Sequence, residues 1–331
     1  MVVTALLGAQ VAVYYLYALR CSFPTPHQQR ASDSEVHVLV MSDMHLLGHR
    51  RRPRSQRVWV DWQMFMSIRA ALDVHLPDMV LVLGDQFDEG GLPTPQDTWN
   101  VGNHDTSFGW YMSAEEIRRF EVDFGASNRV TEALGHTFVQ LNTMALDTNV
   151  QDDDVKDSAQ SNTTKLGMTR TRGSVVLMTH LPLYRADDMQ CGDKRRNEGG
   201  HITYEHPSFP YEIHHHVLSP ELTQELLTKL RPSIILSGHT HAWCEYQPSG
   251  EVNAKEFTIP TFSWGQRPDP SYALLTLSGT ASAVALCHLP HEHHVFAFYA
   301  IIGVMLLTLL VTNMWKQRHR WSRKHADLKL N

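Results

Sequence analysis

The feature that most constrains this chain is an uncharged apolar segment near its C-terminal end. Val295–Trp315 reads VFAFYAIIGVMLLTLLVTNMW and contains no charged side chain. Its length is close to the roughly 20 residues that a helix needs to cross a bilayer, and aromatic residues lie near both ends, as at membrane interfaces. A buried core helix is the alternative, but such a helix is rarely apolar on all sides. We therefore predict a transmembrane helix over residues 294–315.

The residues after this helix predict its orientation. Residues 316–331 form a tail rich in Lys and Arg, and such basic clusters remain on the cytosolic side of a membrane. This orientation places the main domain, predicted over residues 36–290, in the lumen. Asn162 begins an Asn-Thr-Thr glycosylation sequence in a polar loop, which is in keeping with a lumenal domain.

A second apolar segment occupies residues 1–19, which contain no charge before Arg20. It is predicted to be a transmembrane helix or a signal anchor. A signal peptide is the alternative, although the basic start typical of signal peptides is missing. Residues 20–35 are predicted to be a linker. Together with the C-terminal helix, this segment predicts a multi-pass membrane protein.

Charge and cysteine content exclude two classes of protein. The net charge is −6, whereas a protein that binds a nucleic acid backbone usually has a basic face, so no nucleic acid partner is expected. The chain has four cysteines, Cys21, Cys191, Cys244 and Cys287. No two have the C-x-x-C spacing of a zinc ribbon. Two disulfides are compatible with a lumenal domain, but the sequence does not give their pairing.

The order of predicted strands and helices indicates the fold class. Short apolar runs bounded by polar residues predict buried strands at 36–41, 79–83, 136–141, 174–178 and 233–236. Apolar residues at helical spacing predict helices over 59–76 and 220–230. Shorter antiparallel strands are expected within 255–289. This β-α-β order predicts a layered α/β domain whose central sheet is covered by helices.

Polar side chains follow four of these strands directly. They are Asp43 and His45, then Asp85, then His180, and finally His239 and His241. Because ligands in open α/β sheets bind beyond the carboxyl ends of strands, we expect these side chains to meet. A mixed set of imidazoles and carboxylates suits Mn²⁺, Fe or Zn²⁺ better than Ca²⁺ or Mg²⁺, which prefer oxygen alone.

Five short blocks, in this order, resemble the signature of the calcineurin-like metallophosphoesterases. The blocks are Asp43-Met44-His45, Gly84-Asp85-Gln86-Phe87-Asp88, Gly102-Asn103-His104-Asp105, His180 and Gly238-His239-Thr240-His241. The resemblance implies a sandwich of mixed β-sheets flanked by helices. It also implies a hydrolase of phosphoric esters that uses two divalent cations, with manganese as the expected metal and iron or zinc as alternatives.

The resemblance also implies a role for each residue. One cation would be held by Asp43, His45, Asp85 and His241. The other would be held by Asp85, Asn103, His180 and His239, so that Asp85 is shared. A hydroxide between the two cations would attack phosphorus in line. His104 would contact the phosphate and serve as the catalytic general acid.

Longer sequence segments around the blocks resemble one branch of this family, the GPI-glycan phosphodiesterases of the early secretory pathway. They include Phe87–Gly90, His180–Arg185 and Pro260–Trp264. This resemblance implies removal of ethanolamine-phosphate from the second mannose of GPI anchors, in support of transport of GPI-anchored proteins from the ER to the Golgi. The expected partners are a GPI-anchored protein or GPI glycan, the lipid bilayer and cargo receptors of ER exit. The expected location is ER exit sites, the ER–Golgi intermediate compartment and the Golgi.

One interval departs from the family pattern. Residues 86–102 contain neither a helical pattern nor an apolar strand, whereas a crossover between parallel strands needs a dozen or more residues and usually a helix. An omitted exon or an incomplete gene model would explain the difference. Asn103 and His104 would then fail to reach the metals. Two alternative functions follow: a phosphodiesterase or phosphatase for another lumenal substrate, and a catalytically impaired isoform that acts as a membrane scaffold.

Several further residues are weaker candidates. The histidine tract His214–His216 and the group of His291, His293 and His294 are compatible with metal binding, but such tracts are more often solvated loops. Asp88 and Glu89 are candidates to orient metal ligands, or they are simply turn residues. Arg185 and Arg267 are candidates for phosphate contacts, with an exposed surface arginine as the default.

Overall fold

The computed structural model describes residues 2–26, 35–46, 54–86, 102–107, 109–147, 150–157, 159, 173–197, 206–248 and 253–327. Within these ranges, the strands in chain order are β1 Glu35–Met41, β2 Met79–Val82, β3 Arg129–Ala133, β4 His136–Gln140, β5 Val175–Met178, β6 Ile234–Ser237, β7 Cys244–Tyr246, β8 Lys255–Thr258, β9 Ser271–Ser278 and β10 Ala281–His288. The principal helices are α1 Val2–Ala18, α2 Arg54–His75, α3 Asn103–Thr106, α4 Ala114–Phe124, α5 Thr143–Asp147, α6 Gly192–Arg196, α7 Pro220–Leu230 and α8 Glu292–Asp327.

The strands form two mixed sheets. The first has four strands in the order β10-β9-β1-β2, with β1 parallel to β2 and antiparallel to β9. The second has six strands in the order β3-β4-β5-β6-β8-β7, and its four central strands are parallel. An antiparallel hairpin partner closes each edge of the second sheet. The predicted sandwich of mixed sheets is confirmed.

Side-chain alternation along β1 shows how the layers are assembled. Val38 and Val40 point into the space between the sheets, where they join Leu236 of the second sheet in one apolar cluster. Leu39, on the opposite face of the strand, belongs to the cluster that includes Met64 of α2. Successive residues of a strand point to opposite faces, so β1 is apolar on both. On the outer face of the second sheet, α7 and α5 cover the third cluster.

The longer predicted helices and strands are present, whereas β7, the short helices α3, α5 and α6, and two larger elements were not predicted. The predicted helix over 220–230 coincides with α7, which begins with Ser219 accepting a hydrogen bond from the Leu222 amide. The sequence analysis did not predict α4 or β3. A signal for α4 was present, because Ser113 and Glu116 have the spacing of a capping box, and the Glu116 amide donates to Ser113 Oγ at 3.3 Å.

One helix among the described residues is long and apolar enough to span a membrane. It covers Glu292–Trp321, its most apolar window has a mean hydropathy of 2.5, and only 6% of that window is buried. The predicted helix over 294–315 falls inside it. This helix indicates membrane association through the C-terminal part of the chain. The N-terminal helix α1 has 17 residues, and a second span there stays a prediction.

Helix α1 and the residues after it pack against the main domain. Tyr14 is buried beside Trp264, with ring centroids 6.3 Å apart. A disulfide joins Cys21 to Cys287 at the end of β10, with a Cα–Cα distance of 5.7 Å. Part of the predicted 20–35 linker is therefore fixed to the first sheet by a covalent bond.

The second disulfide joins Cys191 to Cys244, with a Cα–Cα distance of 4.5 Å. All four cysteines of the chain are thus paired. Disulfides persist mainly in secreted proteins and in the lumen of the secretory pathway. The pairing is consistent with the orientation that the basic tail predicts.

Candidate metal centre

Six of the seven predicted metal ligands lie just beyond the carboxyl ends of parallel strands, as the sequence analysis expects. Asp43 and His45 follow β1, Asp85 follows β2, His180 follows β5, and His239 and His241 follow β6. The first two strands belong to one sheet and the last two to the other. The seventh residue, Asn103, begins the short helix α3. The candidate centre therefore lies at the seam between the two sheets.

The backbone at these positions adopts an unusual conformation. Five of the seven residues have a positive φ: Asp43 (49°), His45 (45°), Asp85 (46°), His239 (71°) and His241 (56°). A non-glycine residue in this left-handed region costs of order 1–3 kcal/mol and persists only where the surroundings enforce it. Such strain accumulates at functional sites. Here it turns the side chains away from the strand direction and toward one another.

A first cluster contains Asp43, His45 and His241. Nε2 of His45 lies 3.1 Å from Nε2 of His241. Asp43 Oδ1 lies 3.9 Å from the first of these nitrogens and 3.5 Å from the second. Two nitrogen ligands bound at about 2.1 Å to one cation are themselves roughly 3 Å apart. The spacing of these donor atoms therefore suits a single metal ion.

A second cluster contains His180, His239 and Asn103. Asn103 Oδ1 lies 3.0 Å from His180 Nε2 and 3.0 Å from His239 Nδ1. Asp85 Oδ1 completes the group at 3.3 Å from His180 Nε2. The chain thus brings a neutral amide oxygen, two imidazoles and a carboxylate together, and the donor types fit a second divalent cation.

Asp85 belongs to both clusters, with one oxygen facing each. Its Oδ2 lies 3.5 Å from His45 Nε2, and its Oδ1 lies 3.3 Å from His180 Nε2. The side chain is almost fully buried. A carboxylate placed in this way is able to serve two cations at once. The resemblance stated above implies this geometry, and the structure provides it.

Backbone carbonyls select which nitrogen of each imidazole faces the centre. His180 Nδ1 donates to the carbonyl of Leu83 at 3.0 Å, which leaves Nε2 toward Asp85. His239 Nε2 donates to the carbonyl of His215 at 2.8 Å, which leaves Nδ1 toward Asn103. Metal-binding histidines are usually held by such a bond from their other nitrogen. The sequence left metal binding or a solvated loop open for His215, whereas its backbone carbonyl orients His239.

Two glycines allow the carboxylates to pack against neighbouring backbone. A Cβ on Gly102 would lie 1.8 Å from Asp85 Oδ1, and a Cβ on Gly238 would lie 2.7 Å from Asp43 Oδ2 and 2.0 Å from Ser42 Oγ. Real Cβ contacts are never this short, so any larger residue would push the carboxylate aside. Both blocks of the sequence signature therefore need glycine for a steric reason.

His104 lies beside the first cluster and is partly exposed. Its amide donates to Asp85 Oδ1 at 3.1 Å, and its ring lies edge-on to His45 with centroids 4.8 Å apart. One of its ring nitrogens lies within 4.8 Å of donor atoms of His45 and Asp85. The side chain is only partly buried. It is the predicted site residue best placed to meet both the centre and a solvent-borne substrate.

The charges at the centre are strongly coupled. Burial raises the pKa of Asp43, but the hydrogen bond and charge of His241 outweigh burial and lower it to about 2. Burial acts likewise on Asp85, and the charge of His180 holds the pKa of that carboxyl well below its usual range. Burial lowers the pKa of His180, yet Asp85 outweighs this and raises it to about 10. Burial and the charge of His180 lower the pKa of His239 to about 3.

These shifts show that the centre requires positive charge. Burial opposes ionisation of both carboxylates, yet the nearby histidines lower the pKa of each, and Asp85 in turn raises the pKa of His180. Metal ligands must be deprotonated, so a divalent cation would take the place of a proton on His180. The buried carboxylates, imidazoles and amide oxygen fit divalent cations in the two clusters that share Asp85.

The two arginine candidates are not surface residues. Arg185 is 3% exposed and Arg267 is 6% exposed, so the default expectation for them was wrong. Arg185 Nε pairs with Asp188 at 2.8 Å, and Arg267 pairs with Asp269 through two contacts of 2.9 Å. Burial of an arginine requires such partners. Both guanidinium groups are engaged outside the metal centre.

The remaining candidates from the sequence are two acidic residues, one asparagine and two groups of histidines. Asp88, Glu89 and Asn162 lie outside the described residues, so their roles stay predictions. His294 Nδ1 lies 3.1 Å from Tyr17 Oη. His293 and His294 lie in the first turn of α8, and His291 directly precedes this helix. The tract at His214–His216 contacts the centre through the His215 carbonyl.

The short interval before Asn103 does not prevent this residue from reaching the centre. Strand β2 is an edge strand of the first sheet, and no described strand pairs with its outer side. Gly102 nevertheless packs directly against Asp85, and Asn103 lies within 3.0 Å of two histidines. Asn103 and His104 therefore reach the centre, where the close contact of Gly102 with Asp85 and the bond from the His104 amide to Asp85 hold them.

Comparison with known proteins identifies relatives of this chain. Residues 36–243 match the family described as Calcineurin-like phosphoesterase. The chain is 31% identical to Metallophosphoesterase 1 of Ailuropoda melanoleuca over 95% of its own length and 88% of that protein. It is 30% identical to Metallophosphoesterase 1 of Xenopus laevis, over 92% of this chain and 85% of the relative.

Solved structures of low sequence identity also match. A dimetal phosphatase from Danio rerio aligns with 10% identity and a TM-score of 0.39, over 77% of this chain and 99% of that chain. The calcineurin-like phosphoesterase YfkN from Bacillus subtilis aligns with 10% identity and a TM-score of 0.38, over 84% of this chain and 99% of that chain. Nothing further follows from scores this low.

Proposed function

Because the chain belongs to the calcineurin-like phosphoesterase family, we propose that it is a metal-dependent phosphodiesterase of GPI anchors. It removes ethanolamine-phosphate from the second mannose of the glycan, and thereby supports transport of GPI-anchored proteins from the ER to the Golgi. The observation that carries the proposal is the pair of ligand clusters that share Asp85. The choice of substrate rests on the resemblance of the segments around the signature blocks to GPI-glycan phosphodiesterases.

In the proposed centre, one divalent cation is held by Asp43, His45, Asp85 and His241. The second is held by Asp85, Asn103, His180 and His239. When bound, two such cations polarise the phosphoryl oxygens and make water acidic enough to attack phosphorus near neutral pH. Manganese is the proposed metal, with iron or zinc as alternatives.

The protein residues position the reaction and move the proton. Asp85 and Asp43 are held by backbone amides and by Ser42 Oγ, which donates to Asp43 Oδ2 at 2.5 Å. They therefore keep a fixed geometry while charge develops on the phosphate. His104, partly exposed beside His45, donates a proton to the mannose oxygen as that alcohol leaves.

The membrane helix and the disulfides support a lumenal, lipid-anchored substrate. Helix α8 keeps the domain at a bilayer, where a GPI-linked glycan also stays. Both disulfides suit the lumen of the secretory pathway. We propose that the protein is a multi-pass membrane protein of ER exit sites, the intermediate compartment and the Golgi. Its partners would be GPI-anchored cargo and the receptors that export it.

A test of the chemistry compares two leaving groups. In the full chain with Mn²⁺, Asp85→Asn is expected to lower hydrolysis of bis(4-nitrophenyl) phosphate at least about 100-fold, whereas the exposed control Asp153→Asn has no effect. His104→Ala is expected to lower kcat about 100-fold or more for the mannose-linked ethanolamine-phosphate, but little for 4-nitrophenolate, which leaves without a proton. Equal rates for wild type and Asp85→Asn would contradict the proposed chemistry.

The substrate is tested in cells that lack this activity. Expression of the wild-type chain is expected to yield GPI glycans without ethanolamine-phosphate on the second mannose, as measured by mass spectrometry. The Asp85→Asn variant is expected to leave that group in place. If both chains leave the glycan unchanged while the wild type still hydrolyses the soluble diester, the enzyme acts on another lumenal substrate.

A membrane scaffold without catalysis is the competing function. It rested on the short interval before Asn103, and that argument weakens because Asn103 lies within 3.0 Å of His180 and His239. A scaffold would not require two carboxylates to be buried, nor two imidazoles to lie around one amide oxygen. Hydrolysis by the wild-type chain that exceeds the Asp85→Asn background would exclude it.

A further inference from the structure

A second cleft lies between the metal centre and the start of the membrane helix. It has a volume of about 330 Å³, and the residues that matter here are Lys194, Trp243, Arg267, Asp269, Ser271 and His288. None of these residues belongs to the two ligand clusters. The sequence analysis considered only Arg267 among them.

One end of the cleft adjoins the metal centre. Trp243 follows soon after the ligand His241 on the same loop. Pro260 also lines the cleft, and the next residue, Thr261, donates from Oγ1 to the backbone carbonyl of Asp43 at 2.6 Å. A ligand in the cleft would therefore be separated from the reacting phosphate by little more than one loop.

The other end adjoins the membrane helix. His288 is the last residue of β10, shortly before Glu292 begins α8. The amide of Glu292 donates to the carbonyl of Pro268 at 3.1 Å, which lies between the cleft residues Arg267 and Asp269. The cleft thus opens near the point where the chain enters the bilayer.

The cleft carries one cation that no carboxylate neutralises. Arg267 is paired with Asp269 at 2.9 Å. Lys194, exposed on α6, has no acidic group within 4 Å in the described part of the chain, and its Nζ lies 5.8 Å from the centroid of the Trp243 ring. A cation–π contact of this kind holds the ammonium group over the ring without cancelling its charge.

The charge of Lys194 also acts on the neighbouring side chain of His288. Burial, followed by the charge of Lys194, lowers the pKa of His288, and the opposing effect of Asp269 is smaller. His288 Nδ1 lies 3.0 Å from Ser271 Oγ. The cleft therefore combines a positive charge, an indole wall and polar groups able to hydrogen-bond, which is the chemistry that recognises a phosphate attached to a sugar or polyol.

We propose that this cleft binds a second phosphate of the membrane-anchored substrate, namely the phosphate that links the glycan to its lipid. The assignment rests on the proposed function, because only a lipid-linked glycan places a phosphate at the bilayer while another part reaches the metal centre. Free inorganic phosphate shares the chemistry, but a site beside α8 favours a phosphate held at the membrane. Binding at both places would orient the glycan so that only one phosphodiester reaches the metals.

The direct test uses lipid crosslinking to the full chain in vesicles. The probe is phosphatidylinositol with a photoreactive group on its inositol ring, and the reference is a matching phosphatidylcholine. Crosslinks from the inositol lipid are expected near Trp243 and Leu286, and Lys194→Gln is expected to reduce them about tenfold. Arg196→Gln on the same helix is the matched control, because Arg196 pairs with Asp193 and does not line the cleft. Equal labelling by both lipids, or equal loss in both variants, would overturn the proposal.

A kinetic test separates this site from the metal centre. Lys194→Gln is expected to raise KM for the GPI glycan in vesicles about tenfold, since a hydrogen bond to a charged group has about this effect on affinity. Its kcat, its KM for soluble bis(4-nitrophenyl) phosphate and its inhibition by inorganic phosphate are expected to stay unchanged. A parallel change for the soluble diester, or weaker inhibition by inorganic phosphate, would overturn the assignment. If the wild-type chain hydrolyses only the soluble diester, the proposed substrate is wrong. The crosslinking result alone then tests whether the cleft binds the phosphate of a lipid.

Discussion

The candidate centre receives its ligands from two regions that are built differently. His180 and His239 follow strands β5 and β6, whose backbone hydrogen bonds continue into the loops, as in the bond from the Gly238 amide to the His180 carbonyl at 3.0 Å. Asn103 has no described strand behind it. It follows Gly102, whose backbone packs against the Asp85 carboxylate. Both regions place donor atoms within 3.0 Å of each other, so a sheet is one way to fix a ligand and a tight steric contact is another.

The two regions also differ in what supports them from behind. Buried hydrogen bonds and an ion pair connect the loop after His180 to Glu256 of β8. Glu256 accepts from the Leu183 amide at 2.9 Å and from Ser237 Oγ at 2.8 Å, and it lies 3.4 Å from Arg185 Nη1. The Asn103 turn is tied to α4 instead, through the 3.3 Å contact from Ser107 Oγ to Glu116. We expect changes in the first support to lower global stability and changes in the second to affect the site locally.

The largest effect is expected from Asp188→Asn, which breaks the network behind the strand-borne ligands. Asp188 pairs with Arg185 at 2.8 Å and with Arg195 at 2.7 Å, and all three are buried. Removing one partner of a buried pair leaves an uncompensated charge and costs about 3–5 kcal/mol. Equilibrium unfolding of the full chain in detergent measures this loss. The exposed control Asp193→Asn is expected to change stability by less than about 0.5 kcal/mol.

The same variant has a defined pH dependence. Burial raises the pKa of Asp188, but the charges of Arg185 and Arg195 outweigh it and lower the pKa below its ordinary value. The stabilisation is therefore fully present above the unfolded pKa of about 3.9 and is lost as pH falls through the lower folded pKa. The difference between wild type and Asp188→Asn should shrink below about pH 4. A difference that grows on acidification would contradict the assigned direction.

Residue patterning predicted the strand-borne region, whereas Asn103 was named only through the resemblance of its block to the family, for a physical reason. Apolar runs such as Val36–Met41 define strands through burial, and the polar residues after them then fall at one edge of a sheet. Asn103 depends on the absence of a single Cβ at Gly102, which leaves no periodic signal. The ionic network around Asp188 and the orienting carbonyl of His215 were missed likewise, because they depend on contacts between distant parts of the chain.

The second largest effect is expected from Gly102→Ala, which tests the steric contact directly. The φ of Gly102 is −147°, an ordinary value for alanine, so the effect comes from the overlap of Cβ with Asp85, at 1.8 Å from Oδ1 and 2.3 Å from the backbone nitrogen. Displacement of a reacting group by about 1 Å can cost about 100-fold in rate, and we expect a loss of that size for bis(4-nitrophenyl) phosphate. We expect a smaller loss of thermal stability than for a clash inside the sheets, because α3 is short and lies outside them.

Two glycine controls sharpen this result. Gly238→Ala makes a similar clash in the strand-borne region, against Ser42 Oγ and Asp43 Oδ2, and is expected to lower the melting temperature as well as activity. Gly303→Ala in α8 meets no atom within 4 Å and should leave both unchanged. If Gly102→Ala lowered the melting temperature as much as Gly238→Ala, the two regions would not differ in the way proposed.

Asn103→Ala is expected to have the next effect, on metal content. The amide oxygen is the neutral donor of the second cluster only. Its loss should weaken the binding of one cation and leave the binding of the other unchanged. A reduction of about 10–100-fold in the affinity for that cation is expected, by analogy with the loss of an outer-shell partner. Metal analysis after equilibrium dialysis at limiting Mn²⁺ measures the stoichiometry. Retention of both cations, or loss of both, would show that Asn103 does not serve one site.

The smallest effect is expected from Ser113→Ala, which removes the N-cap of α4. Ser113 Oγ accepts from the Glu116 amide at 3.3 Å, and Glu116 in turn accepts from Ser107 in the Asn103 turn. Loss of a serine N-cap costs about 1 kcal/mol, too little to unfold the domain. Because α4 supports the turn and not the sheets, hydrogen exchange should increase at residues 103–107 and 114–118 while the amides of β5 and β6 stay protected. Uniform loss of protection would mean that the two regions form a single cooperative unit.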